Sequence, residues 1–311
     1  MRFGVFTSMG NQTWAGVLDL WKRLEATGWD MACVTDHFMP NTKDREGPTM
    51  EAWSTLSALA ALVPRMKVGT IVLGNTYRHP AVVAKMAAQV DIISGGRLLL
   101  GMGAGWQQNE HEAYGIPFYT VPERLKRLDE ACAVMRALWS EKRANFKGQF
   151  YQLSDAPLDP KPVQSPGPEL MIGGGGERVT LKVAAKHADH WNVWGGPGVM
   201  GRKGKIMDEH CAAVGRGARP LTRSVNMALL FTERNSEVDT LAESISKRMG
   251  RSPEEAKDTC LAGSPMQISD KLNELKAVGT TALFVPTMFR PMPELRKDLD
   301  RFAAEIGPQF R

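Results

Sequence analysis

At 311 residues, with 43% hydrophobic and 23% charged side chains, the chain has room for one α/β barrel or two ordinary domains and the balance of a globular protein. Its net charge of +5 is spread along the sequence, and Arg202–Lys205 is its densest basic group, so a nucleic-acid-binding stripe is not expected. No apolar run approaches the roughly 20 residues of a membrane-spanning helix; Cys33, Cys132, Cys211 and Cys260 lie far apart with no CxxC, which argues against a zinc site or a disulfide framework.

Arg2–Thr7 reads as a first strand rather than part of a signal peptide, so a cytoplasmic location is expected. An amphipathic helix follows over Thr13–Thr27, where Val17, Leu20, Trp21 and Leu24 recur at helical spacing. Asp30–Thr35 is a second strand, apolar until it reaches Asp36–His37. The loop from Phe38 to Pro48 is long and rich in Pro, Asn, Asp and Gly. A helix over Met50–Val63 leads to a strand at Lys67–Leu73, a helix over Pro80–Ile93 and a strand at Leu98–Met102. Another long loop precedes a helix over Pro122–Trp139, and Lys142–Leu153 has the pattern of a small hairpin. Then come a strand at Glu169–Ile172 running into Gly173–Gly176, a helix over Glu177–His187, a strand at His190–Trp194, a helix over Met200–Val214 and a strand at Ser224–Phe231. Asn235–Leu261 is mostly polar, with two helical patches and no strand, and reads as an insertion. Ser264–Ala277 is helical, Ala282–Pro286 is the last strand and Pro293–Ile306 the closing helix.

Eight strands alternating with helices favour a (β/α)8 TIM barrel, one domain over residues 1–311 with an insertion at about 235–261. The competing arrangement is an open doubly wound sheet. No linker splits the chain halfway, and the outermost strands, FGVF and ALFVP, are as apolar as the central ones, whereas edge strands usually carry charge or Pro.

Ligands of parallel α/β folds sit at the carboxyl ends of the strands. Gly74–Asn75 and the run Gly101–Met102–Gly103–Ala104–Gly105 end two strands there, and such glycines would let a flat ligand approach bare backbone. Asp36–His37 places two titratable groups at the same end. His37 can exchange a proton near neutral pH, with the alternative that Asp36 caps a turn and His37 bonds to it. Gly173–Gly176 ahead of a helix suits a phosphate, although neither GxGxxG nor GxxxxGK[ST] is present. Trp106 and Trp53 could wall a flat ligand or belong to the core. Glu51 is a candidate acid or a charge at a helix start. His111, His187, His190 and His210 lack metal-ligand spacing, so no metal site is expected.

VTDHF (34–38), GTIVLGNTYRHPAVVAK (69–85), ISGGRLLLGMGAGWQQNE (93–110), IGGGGERVTLKVAAKHAD (172–189) and GSPMQISDKLNELKAVG (263–279) together resemble the bacterial luciferase-like monooxygenase superfamily, most of all its branch that uses the deazaflavin coenzyme F420. The resemblance implies a barrel with an insertion before the last strand, a homodimer, and a non-prolyl cis peptide at Ile71–Val72 behind the cofactor ring. It implies that Gly74, Asn75, Ala104, Gly105 and Asn109 line the deazaflavin, that Asp36 holds its edge, and that Gly174, Gly175 and Gly176 take its phosphate. His37, with Trp106 and Glu51 as further candidates, would stand by the reactive carbon. The sugar-phosphate dehydrogenase branch has glutamates where Trp106 stands and near Gly10, and a tryptophan where Asn41 stands. Glucose 6-phosphate oxidation is therefore not expected, and Trp106 suggests a hydrophobic or planar substrate. The first expectation is an F420-dependent oxidoreductase acting on a small molecule. The alternatives are an FMN-dependent monooxygenase on the same fold and a catalytically silent flavin-binding protein. A barrel lyase or aldolase lacks a Schiff-base lysine at a strand end.

Overall fold

The computed structural model describes residues 1–311. Short apolar runs become strands buried on both faces, because helices cover the outside of the sheet. β1 (Arg2–Thr7), α1 (Trp14–Ala26), β2 (Met31–Val34), α2 (Ala52–Leu62) and β3 (Lys67–Thr70) form the first two units. The Ile71–Val72 peptide bond is cis, as the resemblance implied, and it interrupts the strand. Pairing resumes in the two residues of β4 (Leu73–Gly74) ahead of α3 (Pro80–Ser94) and β5 (Leu98–Gly103). The loop expected next contains a helix, α4 (Gln108–Tyr114), before α5 (Val121–Ser140). An antiparallel hairpin of β6 (Ala144–Lys147) and β7 (Gln152–Ala156) leaves the barrel, which resumes at β8 (Glu169–Gly173).

After β8 come α6 (Thr180–His187), β9 (His190–Trp194), α7 (Pro197–Ala213) and β10 (Thr222–Asn226). The expected strand Ser224–Phe231 is in fact two. Met227 N–H still donates to Phe284 in the barrel wall, but Ala228 N–H donates to Thr259. From there β11 (Ala228–Phe231) runs outside the barrel. The inserted segment holds α8 (Asn235–Met249) and α9 (Pro253–Asp258), and then β12 (Cys260–Gly263), a strand where none was expected. β12 pairs in parallel with β11 over four residues each, and a separate cluster including Leu230, Leu241, Ile245 and Cys260 packs beneath them. α10 (Pro265–Ala277), β13 (Ala282–Pro286) and α11 (Met292–Arg301) complete the chain.

The wall runs β3–β2–β1–β13–β10–β9–β8–β5, and β5 pairs back onto β3 at Val68–Leu98 and Gly69–Leu99, which closes an eight-stranded parallel barrel. No helix is long and apolar enough to cross a membrane. The interior is filled by Phe6, Met31, Cys33, Ile71, Leu99, Met171 and Phe284, with Val72, Trp194 and Met288 packed against them. Gly4 makes room for the Phe284 ring, which a Cβ there would approach to 2.6 Å.

The amino-terminal mouth is closed by charge. Glu169 binds Arg2 at 3.3 Å, Lys67, and His190 Nδ1 at 3.2 Å, while His190 Nε2 meets Ser224 at 2.7 Å. Burial works against the Glu169 carboxylate, but His190 and Lys67 outweigh it and hold Glu169 well below the usual glutamate range. Burial also lowers His190, favouring its neutral form. Both folded-state values lie below their unfolded ones, so both contributions weaken as the pH falls: His190's below its ordinary value, and Glu169's from the ordinary glutamate value downward. Glu169→Gln should destabilise the fold by about 2 kcal/mol at pH 7, below the ~3–5 typical of breaking a buried pair because Lys67 and Arg2 reach solvent. Urea unfolding measured from pH 7 to pH 3 should show the wild type losing this advantage over the variant as the solution is acidified.

Candidate active site

His37 follows β2 at the carboxyl-terminal rim. Its Nδ1 lies 3.0 Å from the Glu110 carboxylate, and its ring meets the edge of Trp106 with centroids 5.4 Å apart and planes at 78°. Trp106 is 60% exposed, a rim residue rather than a core one, whereas Trp53 is buried in the core. Glu110 and its neighbour His111 are buried on α4, and Glu110 also accepts from the N–H groups of Phe38 and Met39 and from the Tyr77 hydroxyl. No hydrogen bond joins Asp36 to His37; each has its own partner.

Asp36 is 2% exposed, and both its oxygens are engaged. Arg78 donates to it twice, at 2.8 and 3.1 Å, and Gly74 N–H once at 3.1 Å. Burial lifts Asp36 above the ordinary aspartate range, with Arg78 offsetting part of that. Asp36 thus fixes the β4 turn. Arg78 reaches on to Glu51 at 2.9 Å. Glu51 also accepts from Trp53 and Ser54 N–H at 3.0 and 2.7 Å, which makes it the cap of α2. Burial opposes its charge, but those amides and Arg78 prevail and lower its pKa. It therefore holds no proton to donate at neutral pH, and the candidate acid is a structural carboxylate.

The strand-end glycines are crowded by neighbouring side chains. A Cβ at Gly101, Gly103 or Gly173 would lie 2.9, 2.7 or 2.8 Å from Val72 methyl groups. At Gly74 it would meet the Tyr77 ring at 2.5 Å, and at Gly105 the Thr76 hydroxyl at 2.5 Å. These glycines accommodate the protein's own side chains around the Ile71–Val72 turn. Ala104 follows β5, packed against the core. Beside it are two buried, unpartnered carbonyls, Asn75 Oδ1 and Asn109 Oδ1. Their amide nitrogens contact Tyr151 Oη at 3.4 Å and Pro40 O at 3.1 Å.

The glycine loop leads from β8 into α6. Gly174 has φ +138°, where L side chains are strained. Its N–H bonds to Asn192, but the N–H groups from Gly175 to Val179 donate to no protein acceptor, and the next to do so is Leu181, to Gly176. They stand at the start of α6 in a cleft of about 420 Å³ lined by Gly175, Gly176, Arg178, Thr180 and Lys203. Lys203 Nζ holds the loop through Gly175 O at 2.6 Å and Glu177 at 2.9 Å. The start of α7, on the same rim, is closed instead: the Asp258 carboxylate accepts from the N–H groups of Gly196, Gly198 and Val199 at 2.9, 3.3 and 3.2 Å. Between the two, Trp194 packs on Phe6 and Phe289, with centroids 5.4 and 5.8 Å apart.

Sequence reasoning gave no role to Glu110, Tyr77, Arg78, Lys203 or Asp258. A signal was present for three of them: NTYRHP and QQNE are polar stretches that directly follow apolar strands. Arg78→Ala would leave the Asp36 charge buried beside Gly74 and should cost about 3–5 kcal/mol in chemical denaturation. Arg78→Lys should recover only part of this, because one ammonium cannot reproduce the two-pronged contact.

The family model for luciferase-like monooxygenases matches residues 1–282. An F420-dependent glucose-6-phosphate dehydrogenase of Amycolatopsis mediterranei is 35% identical over 205 residues, 65% of this chain and 59% of that protein. The match thus spans about three fifths of the relative's length. An FMNH2-dependent dimethylsulfone monooxygenase of Pseudomonas putida is 28% identical over 286 residues, covering 82% and 77%. Among solved structures, an F420-dependent secondary alcohol dehydrogenase superposes with a TM-score of 0.85 over 100% of this chain and 99% of the other, at 21% identity, a likeness of fold. The chain belongs to the luciferase-like monooxygenase family.

Proposed function

We propose that the protein is an oxidoreductase that binds coenzyme F420 at the carboxyl end of the barrel and moves hydride between that cofactor and an apolar or planar organic substrate. The observation that carries this reading is the run of free N–H groups from Gly175 to Val179, in a cleft beside Lys203 and on the rim that bears His37. A helix start with unpaired donors suits a phosphate. The unpaired Asn75 and Asn109 carbonyls fit N–H donors of a heterocyclic ring. The bound deazaflavin would supply two-electron hydride chemistry with little reactivity toward oxygen, because carbon replaces the flavin N5.

The chain's own residues do the rest. With Nδ1 held by Glu110, His37 has Nε2 free to exchange a proton with a substrate oxygen as hydride moves. Trp106, packed against the His37 ring, offers an apolar wall on which a planar substrate can lie. Asp258 fills the α7 start, which disfavours a second phosphate there and with it a sugar-phosphate substrate. The resemblance implies glutamates of the sugar-phosphate branch where Trp106 stands and near Gly10, and this chain lacks both. The second reading, an FMN-dependent monooxygenase, is favoured by the match to the Pseudomonas enzyme over most of both chains.

Titrating the protein with F420, its phosphate-free deazariboflavin and FMN, and following fluorescence, separates the two. F420 should bind most tightly. Lys203→Ala should weaken it about tenfold, one hydrogen bond to a charged group, and leave the phosphate-free compound unchanged. His37→Ala should keep cofactor binding and lose roughly 10²–10⁴ in kcat. Tight binding of FMN alone would favour the second reading, and failure of both cofactors to bind would reject each.

A further inference from the structure

Glu110 is fully buried, with no exposed side-chain surface. A carboxylate so placed costs several kcal/mol unless donors surround it. It has four, and three come from one short segment: His37 Nδ1 at 3.0 Å, Phe38 N–H at 2.5 Å and Met39 N–H at 3.2 Å. The fourth is the Tyr77 hydroxyl. One side chain on α4 therefore fixes both the backbone that leaves β2 and the ring of the histidine on it. Tyr77 is held in turn. Its ring stacks on His111 at 4.9 Å and 26°, and His111 bonds to Gln107 O at 2.8 Å and Thr76 Oγ1 at 2.7 Å.

The other charges near His37 form one group: Asp36 and Glu51 share Arg78, which leaves that group one net negative charge, and Asp36 also feels the imidazole, while Trp106 offers an uncharged ring. Glu110 is the carboxylate in direct contact with the imidazole. Burial by itself would raise the Glu110 pKa, but the bonds from His37 and Tyr77 hold it below the ordinary glutamate range. Tyr77 is pushed above the ordinary tyrosine value by burial and by Glu110, so it stays a hydroxyl donor.

We propose that Glu110 is the positioning residue of this site: its carboxylate keeps the His37 proton on Nδ1 and turns Nε2 toward the reacting groups, while Tyr77 shares the carboxylate and sets how much of its charge His37 feels. The consequence for turnover rests on His37 acting as proposed above, but the arrangement itself can be read in the protein without any cofactor. Ring-¹⁵N-labelled histidine, followed by NMR against pH, should show the Nδ1–H tautomer for His37 in the wild type. Glu110→Gln removes the charge with little change in shape and should lower the His37 titration midpoint by about one pH unit or more. Tyr77→Phe frees a lone pair on Glu110 and should move the midpoint the other way, so it decides the question even if Glu110→Gln does not fold. If F420 or FMN supports turnover, the inflection of the pH–kcat profile should shift in the same two directions, with KM within about threefold. An Nε2–H tautomer in the wild type, or an unmoved His37 midpoint in the folded variants, would overturn the assignment whichever cofactor binds. Shifted midpoints without turnover would leave it standing and count only against the proposed activity.

Discussion

The buried contact between Asp36 and Arg78 is the constraint from which the rim takes its shape. Asp36 stands just past β2, Arg78 just before α3, and Gly74 at the end of β4 shares the same carboxylate. Two crossings of the carboxyl rim, β2 to α2 and β4 to α3, are thereby tied at one point. With Asp36 fixed, the next residue, His37, can emerge only over the opening of the barrel, where Glu110 receives it. With Arg78 fixed, Glu51 is drawn in to cap α2. Two charges buried this way add little net stability, but they admit few alternatives, because either one alone would be a large penalty. A polar knot therefore does for the rim what apolar packing does for the barrel wall.

Sequence patterning placed six of the eight wall strands to within a residue or two, because a strand covered on both faces is an apolar run. His190–Trp194 and Ala282–Pro286 have the bounds expected. What patterning missed has physical reasons. The buried members of α4 are Glu110 and His111, so that helix carries no apolar stripe to be seen. The run SVNMALLF is rich in apolar residues throughout and carries no turn residue at Met227, although its second half pairs with β12 rather than with the barrel. Hydrophobicity records that a strand is buried, not which partner buries it.

The site residues divide along a similar line. The placement of His37 on the rim and of the glycine loop ahead of α6 was legible because those signals are local: a titratable pair closing an apolar run, and four glycines ahead of a helix. Roles that depend on long-range partners were not. Glu51 stood open between an acid and a helix-start charge, and Asp36 between a titratable group and a turn cap, with no sign of Arg78, 27 and 42 residues away, which binds both. The strand-end glycines looked open until Val72, Thr76 and Tyr77 were found in the space a Cβ would need. In both cases the residue type was read correctly and its partner was unknown.

Two helix starts face the same rim and have been treated in opposite ways. Both α6 and α7 begin directly after a wall strand and lack a side-chain cap of their own. At α7, three N–H groups are satisfied by Asp258, carried in on the inserted segment. At α6 the nearest carboxylate, Glu177, is turned to Lys203 and Arg202 instead, and the amides are left unpaired. Orphaned donors at a helix start are costly unless water or a ligand serves them. The rim therefore offers an anion one such place, not two. Under the proposed function, a phosphate-bearing cofactor seated there would leave its reaction partner the aromatic ground between Phe6, Trp194 and Phe289, and the inserted segment, by supplying Asp258, would have a part in choosing what reacts.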